Sequence, residues 1–191
     1  MTNSDYSVYY GIKELHRLHT ASSLAFDTET LQLQPEKGKL RLLQLGSYTL
    51  KTIVIIDCFE LSDNNWNYLN RFFQNGARYW LAHNAVFDLG WLQEHDIYVR
   101  GKVRCSMLAS RLLTNGIPKT KNGLADVAKR YLDMEVSKEQ QKSNWGADVL
   151  SSAQLEYAAK DIEVLLELDQ ILDVRIQANQ LMEAYTLECL A

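Results

Sequence analysis

At 191 residues, 47% hydrophobic and 23% charged, the chain has the composition of a globular domain with a sizeable core. No apolar run approaches the roughly 18 residues of a membrane span, and the polar start from Met1 to Tyr10 is unlike a secretory signal, so no membrane partner is expected. The net charge of −4 argues weakly against a nucleic-acid partner, and Cys58, Cys105 and Cys189 are far apart with no CxxC pair, which fits reduced thiols in a cytoplasmic protein and disfavours a zinc site.

In chain order, Gly11 to Thr20 reads as a short helix with Ile12, Leu15 and Leu18 on one side. Ser23 to Thr28 is a strand candidate. Leu40 to Ser47 is another, with Leu40, Leu42, Gln44 and Gly46 on one face and Arg41, Leu43 and Leu45 on the other. Thr52 to Asp57 is β-branched and apolar, hence a buried strand. Short connections make these three an antiparallel meander. Ser62 is placed to cap a helix through Phe73. A strand over Arg78 to Ala82, a helix over Asn84 to Glu94 and a short strand at Ile97 to Val99 follow. Ser106 to Leu113 and Gly123 to Leu132 read as helices, Asp133 to Asn144 as a polar loop. Ser151 or Ser152 caps a long helix reaching at least Leu172. The pattern predicts an α/β domain: a five-stranded mixed sheet, its first three strands antiparallel, with helices on both faces.

Three short motifs carry the chemistry. In Phe26-Asp27-Thr28-Glu29-Thr30 the two acids share one face of a strand. Two carboxylates side by side on an apolar strand repel each other and lose hydration, and a cation between them relieves both. In His83-Asn84-Ala85-Val86-Phe87-Asp88 and in Tyr157-Ala158-Ala159-Lys160-Asp161 the polar pairs are four residues apart, neighbours on a helix face. Each motif alone is compatible with solvated surface acids. Together, four carboxylates with oxygen-only ligation suit two divalent ions, Mg²⁺ or Mn²⁺, clamping a scissile phosphate. Between Ile97 and Lys142 ten Lys/Arg face four Asp/Glu, a local excess of cations beside the acids that fits a phosphate-backbone ligand.

These motifs resemble Exo I, Exo II and Exo III of the DEDD exonuclease superfamily, with Asp27, Glu29, Asp88 and Asp161 matching the four acids. Tyr157, four before the last acid, resembles the DEDDy branch; position 156 is Glu, where the other branch carries His. The stretch Lys138-Glu139-Gln140-Gln141-Lys142-Ser143-Asn144-Trp145, followed by Gln154 to Asp161, is similar to the ribonuclease D family, which usually has Asp where this chain has Asn144. His83 to Trp91 also looks like the proofreading exonuclease domain of family A DNA polymerases. The resemblance implies an RNase H-like fold and a single exonuclease domain, its core at about residues 20–175, without the HRDC domains of ribonuclease D proper. It implies metal-dependent release of nucleoside 5′-monophosphates from the 3′ end of RNA or DNA. Asp27, Glu29, Asp88 and Asp161 are then the metal ligands, and Tyr157 aids the attacking water. Short relatives include oligomeric nucleases, so a homo-oligomer is compatible with the chain.

Thr28, Thr30 and Leu31 (or Leu33) border the expected 3′-terminal nucleotide. Asn84 and Phe87 are candidates for nucleotide contact, Phe87 more as core, and His83 for lining the site, more as a structural histidine. Lys138, Gln141, Ser143 and Trp145 form an expected loop beside the site, Trp145 either stacking on a base or packing under the loop. Arg41, Lys39, Arg104 and Arg111 are candidates for phosphate contact. The alternatives are an inactive nucleic-acid-binding module on the same fold, a proofreading-type domain acting on DNA with a separate polymerase, and, more weakly, a metal phosphatase.

Overall fold

The computed structural model describes residues 4–190. A six-stranded mixed sheet runs in the order β1-β4-β3-β2-β5-β6. Its strands are β1 (Ser7–Tyr10), β2 (Ser23–Thr30), β3 (Leu40–Ser47), β4 (Thr52–Asp57), β5 (Tyr79–Ala82) and β6 (Lys102–Cys105). The expected meander is present: β2–β3 and β3–β4 are antiparallel. β5 runs parallel to β2, β6 to β5, and β1 to β4.

Two strands correct the sequence reading. β1 lies in the polar start and pairs with β4, and Tyr6 just before it donates to Glu167 Oε1 at 2.9 Å. The last strand is Lys102–Cys105, not Ile97 to Val99. Ile97 is a buried anchor instead. Gly101, at φ +106, turns the chain so tightly that a Cβ there would sit 2.3 Å from the Arg78 carbonyl. Two cations disguise β6; Arg104 is neutralised by Asp169 and Asp173.

The faces of β3 also differ from simple alternation. The register slips between Glu29 and Thr30 of β2, so Arg41 is an extra residue on β3. Leu40 therefore packs with Leu43 and Leu45, while Leu42 packs on the opposite layer.

Helices α1 (Asp63–Phe73), opened by a Ser62–Asn65 capping box, and α2 (Ala85–Glu94) cover one face. Their core joins Leu69, Phe72, Phe73, Trp91 and Leu92 to Leu24, Phe26 and Trp80 of the sheet. The segment before β2 forms 3₁₀ turns over Ile12–Leu18, with Leu15 and Leu18 buried as expected. On the other face lie α3 (Ser106–Leu113), α4 (Leu124–Leu132), the 27-residue α5 (Ser152–Ala178) and α6 (Met182–Glu188), which sequence reading did not identify.

α5 is apolar on two sides because it has two neighbours. Ala158, Ile162, Leu165 and Leu166 meet Ala25, Leu42, Ile53 and Ile55 of the sheet. Val164, Leu168, Leu172 and Ile176 meet Ala109, Val127 and Ala128 of α3 and α4. Each fully buried aliphatic side chain contributes about 1.5–3 kcal/mol relative to exposure. Gly46 lets α5 approach the sheet: a Cβ there would be 2.4 Å from Ile162 Cγ2. This docking brings the start of α5 over the acidic end of β2.

Candidate active site

The pleat of β2 sends Phe26 and Thr28 to the α1–α2 side and Asp27 and Glu29 to the α5 side. Asp161 projects from α5 toward the same place. Ligand oxygens of Asp27, Glu29 and Asp161 all lie within 4.8 Å of one another. Asp88 enters from α2, 1% exposed, and accepts a 2.6 Å hydrogen bond from the Thr28 hydroxyl. Asn84 is not the first helical residue but the left-handed turn before it, at φ 61, a conformation Asn tolerates. That turn ends β5 and starts α2 within three residues.

The four acids and Tyr157 line one cavity of about 490 Å³. Thr28, Thr30, Leu31, His83, Asn84, Phe87, Lys138, Gln141, Ser143 and Trp145 line it as well. Their detailed placement is uneven. Thr28 is buried and its hydroxyl is spent on Asp88, so that hydroxyl holds an acid in place. Thr30 donates to the Gln32 carbonyl at 2.7 Å. Trp145 is 4% exposed and packs beside the Tyr157 ring at 6.4 Å between centroids, which leaves little face to stack on a base. Phe87 is half-buried against Trp91. Leu31 and Leu33 stay exposed at 39% and 82%. His83 Nδ1 lies 2.9 Å from Ser106 Oγ, and burial lowers its pKa to about 4, so the ring is neutral.

Two expected phosphate-contacting arginines are engaged inside the fold. Arg41 is 2% exposed, pairs with Asp57 at 2.8 Å and donates to the Ala147 carbonyl. Arg104 pairs with acids of α5. Sequence reading also missed Gln44, which pairs across the ladder with Asp27 and is fully buried with neither amide atom hydrogen-bonded. It missed Lys142, Gly123 and Leu124, all in the cavity wall. An amide or a lysine in a loop has no spacing signature of its own.

The electrostatics favour a cation. Burial, then the charges of Asp88, Glu29 and Asp161, push Asp27 well above the usual carboxylate range. Burial and the charges of Asp161 and Asp88 push Glu29 up to about 9. Burial raises Asp88 to about 7 against the opposing Thr28 hydrogen bond, and Asp161 to about 6 against the nearby Tyr157 hydroxyl. Burial and the Asp161 charge raise the Tyr157 phenol in turn, so it stays protonated. Asp161 Oδ1 is buried with no hydrogen-bond partner. A hard divalent cation satisfies these conditions: oxygen donors only, like charges in contact, and an orphaned carboxylate oxygen.

The chain is similar to known nucleases and polymerases. The family model described as 3′-5′ exonuclease matches residues 12–177. DNA polymerase I of Aquifex aeolicus is 33% identical over 156 residues, 82% of this chain and 24% of that protein. Ribonuclease D of Haemophilus influenzae is 31% identical over 169 residues, 88% of this chain and 40% of that protein. The chain thus spans less than half the length of these curated relatives. Among solved structures, Brucella melitensis NrnC, seen both bound to pGG and with bound Mg²⁺, is 26% identical with a TM-score of 0.80. The match covers 96% of this chain and 88% of that one. The match over residues 12–177 takes in strands β2 to β6 and all three acid-bearing motifs, and the chain belongs to the 3′-5′ exonuclease family.

Proposed function

We propose that the chain hydrolyses the 3′-terminal phosphodiester of short single-stranded nucleic acid and releases nucleoside 5′-monophosphates. The observation that carries this reading is the convergence of Asp27, Glu29 and Asp161, with Asp88 and Tyr157 beside them, in a cavity whose wall also carries Lys138 and Lys142. Asp27, Glu29, Asp88 and Asp161 would hold two divalent ions, Mg²⁺ or Mn²⁺. When bound, such ions supply positive charge to the phosphate and acidify the attacking water. The protonated Tyr157 hydroxyl orients that water by hydrogen bonding. Water oxygen bonds to phosphorus, the P–O3′ bond breaks, and the proton lost by the water leaves O3′ as a hydroxyl. Leu31 and Leu33, exposed beside the acids, offer apolar surface to the terminal base. Lys138 and Lys142 offer charge to its phosphates. The pGG bound to the NrnC relative supports very short oligonucleotides as the substrate class.

The test is digestion of matched 5′-labelled RNA and DNA, from dinucleotides to twenty-mers, with each metal. Stepwise shortening from the 3′ end is expected, abolished in Asp27→Ala and Asp161→Asn. Binding of oligonucleotide without shortening at any length would instead make the domain an inactive binding module.

A further inference from the structure

The cavity wall formed by residues 137–145 has no helix or strand of its own. Its backbone bonds are local turns such as Ser143 N–H to the Gln140 carbonyl and Trp145 N–H to the Ser143 carbonyl. Something outside it must hold Lys138, Gln141, Lys142 and Ser143 opposite the acids.

Gln154 is 6% exposed and sits at the third position of α5, one turn before Tyr157. Its Oε1 accepts from the Ser151 backbone N–H at 3.0 Å and faces Ser151 Oγ at 3.1 Å, completing the capping box. A backbone N–H can only donate, so this contact fixes which end of the amide is oxygen. The Nε2 end therefore points at the loop, donating to Ser143 Oγ at 3.0 Å and to the Asn144 carbonyl at 3.2 Å. Because Ser143 Oγ accepts from Gln154, its own proton is left for another acceptor, and Ser143 lines the cavity. Trp145 and Arg41 fasten the next residues, the first beside Tyr157 and the second on the Ala147 carbonyl.

We infer that Gln154 is a positioning residue: it ties the substrate-facing loop to the helix bearing Tyr157 and Asp161, and turns the Ser143 hydroxyl into a donor for a substrate phosphate or sugar oxygen. This rests on the cavity being the nuclease site. One amide thus joins the start of α5 to the loop that grips substrate, so binding and chemistry share a frame.

The experiment compares Gln154→Glu, Gln154→Met, Ser151→Ala, Ser143→Ala and the Gln154→Met/Ser143→Ala pair. Gln154→Glu keeps the cap acceptor but sets a carboxylate against the Asn144 carbonyl, and Gln154→Met removes the donor without adding charge. Limited trypsin digestion at Lys142 reads loop fastening with no reference to activity. Cutting should be at least about fivefold faster in both Gln154 variants and unchanged in Ser151→Ala, which loses only the cap. On a 5′-labelled trinucleotide with Mn²⁺, both Gln154 variants should raise KM about tenfold while kcat falls less than about threefold. The double variant should be no worse than the poorer single one. Wild-type trypsin resistance in the Gln154 variants, an equal KM rise in Ser151→Ala, or additive losses in the pair would each overturn the assignment. If wild type does not shorten oligonucleotides, the nuclease reading fails, and the trypsin comparison still decides whether Gln154 fastens the loop. Should Gln154→Glu not fold, Gln154→Met carries the same comparisons.

Discussion

Tyr157 and Thr28 stand beside the acids in different ways, and substitution separates them. Removing the phenol hydroxyl in Tyr157→Phe keeps the ring packed on Trp145. Cleavage should slow about 10- to 100-fold, at or below the lower end of the range for groups that transfer the proton themselves, because Tyr157 only orients the water. Calorimetric Mn²⁺ affinity should stay at the wild-type value; loss of metal uptake would make Tyr157 part of the metal site instead. Thr28→Val preserves shape but leaves Asp88 without its donor. A hydrogen bond to a charged group contributes about 1.5–3 kcal/mol, which corresponds to about a 10- to 100-fold loss in kcat/KM if it acts through Asp88. A wild-type kcat/KM would show that Asp88 needs no anchor. The four acids and Tyr157 were legible because period-2 and period-4 spacings map directly onto strand and helix faces. Thr28 was singled out by its place in the first motif, but its hydrogen bond to Asp88 was not legible, because the partners lie 60 residues apart and no local spacing encodes a bond between elements.

α5 depends on Gly46. Gly46→Ala places a methyl 2.4 Å from Ile162 Cγ2, a β-branched carbon that cannot swing aside without moving the helix. Overpacking of this kind costs about 1–3 kcal/mol. The unfolding free energy should fall by that amount, read as a lower urea midpoint with an unchanged slope, and cleavage should fall with it because Asp161 rides on the displaced helix. An unchanged midpoint would mean that α5 sits farther from β3 than the structure places it. Elements with strong periodicity or clear caps, such as α1 after Ser62 and α5 after Ser151, were readable to within a residue at their starts. β1 and β6 were not. Both are four-residue edge strands, and both take their order from partners, β4 and β5, rather than from their own alternation. The bulge at Arg41 was hidden for the same reason: an unpaired residue is a property of two strands together.

At the scale of the whole molecule, the buried acids make stability depend on pH and metal together. Without metal, the folded chain keeps protons on Glu29 up to about pH 9, Asp88 to about 7 and Asp161 to about 6. The unfolded chain releases them near pH 4. Folding therefore binds protons in this window, and the stabilisation present at low pH is lost as pH rises through those values. His83 acts oppositely: its folded value of about 4 lies below the unfolded 6.5, so it costs stability as pH falls between them. Three raised carboxylates outweigh the one lowered imidazole, so in EDTA the Tm should fall as pH rises from about 5 toward 9. Mg²⁺ or Mn²⁺ should raise Tm most at the alkaline end, where the ligands are already deprotonated. A pH-independent Tm, or no response to either metal at pH 8.5, would contradict the arrangement.

The acids come from opposite ends of the chain: Asp27 and Glu29 on an early strand, Asp161 on the late helix laid across it. During synthesis the strand leaves the ribosome long before the helix does, and domains close as units. A half-made polypeptide thus lacks one wall of the acidic cavity, and the centre exists only once α5 has been made and has closed on β2.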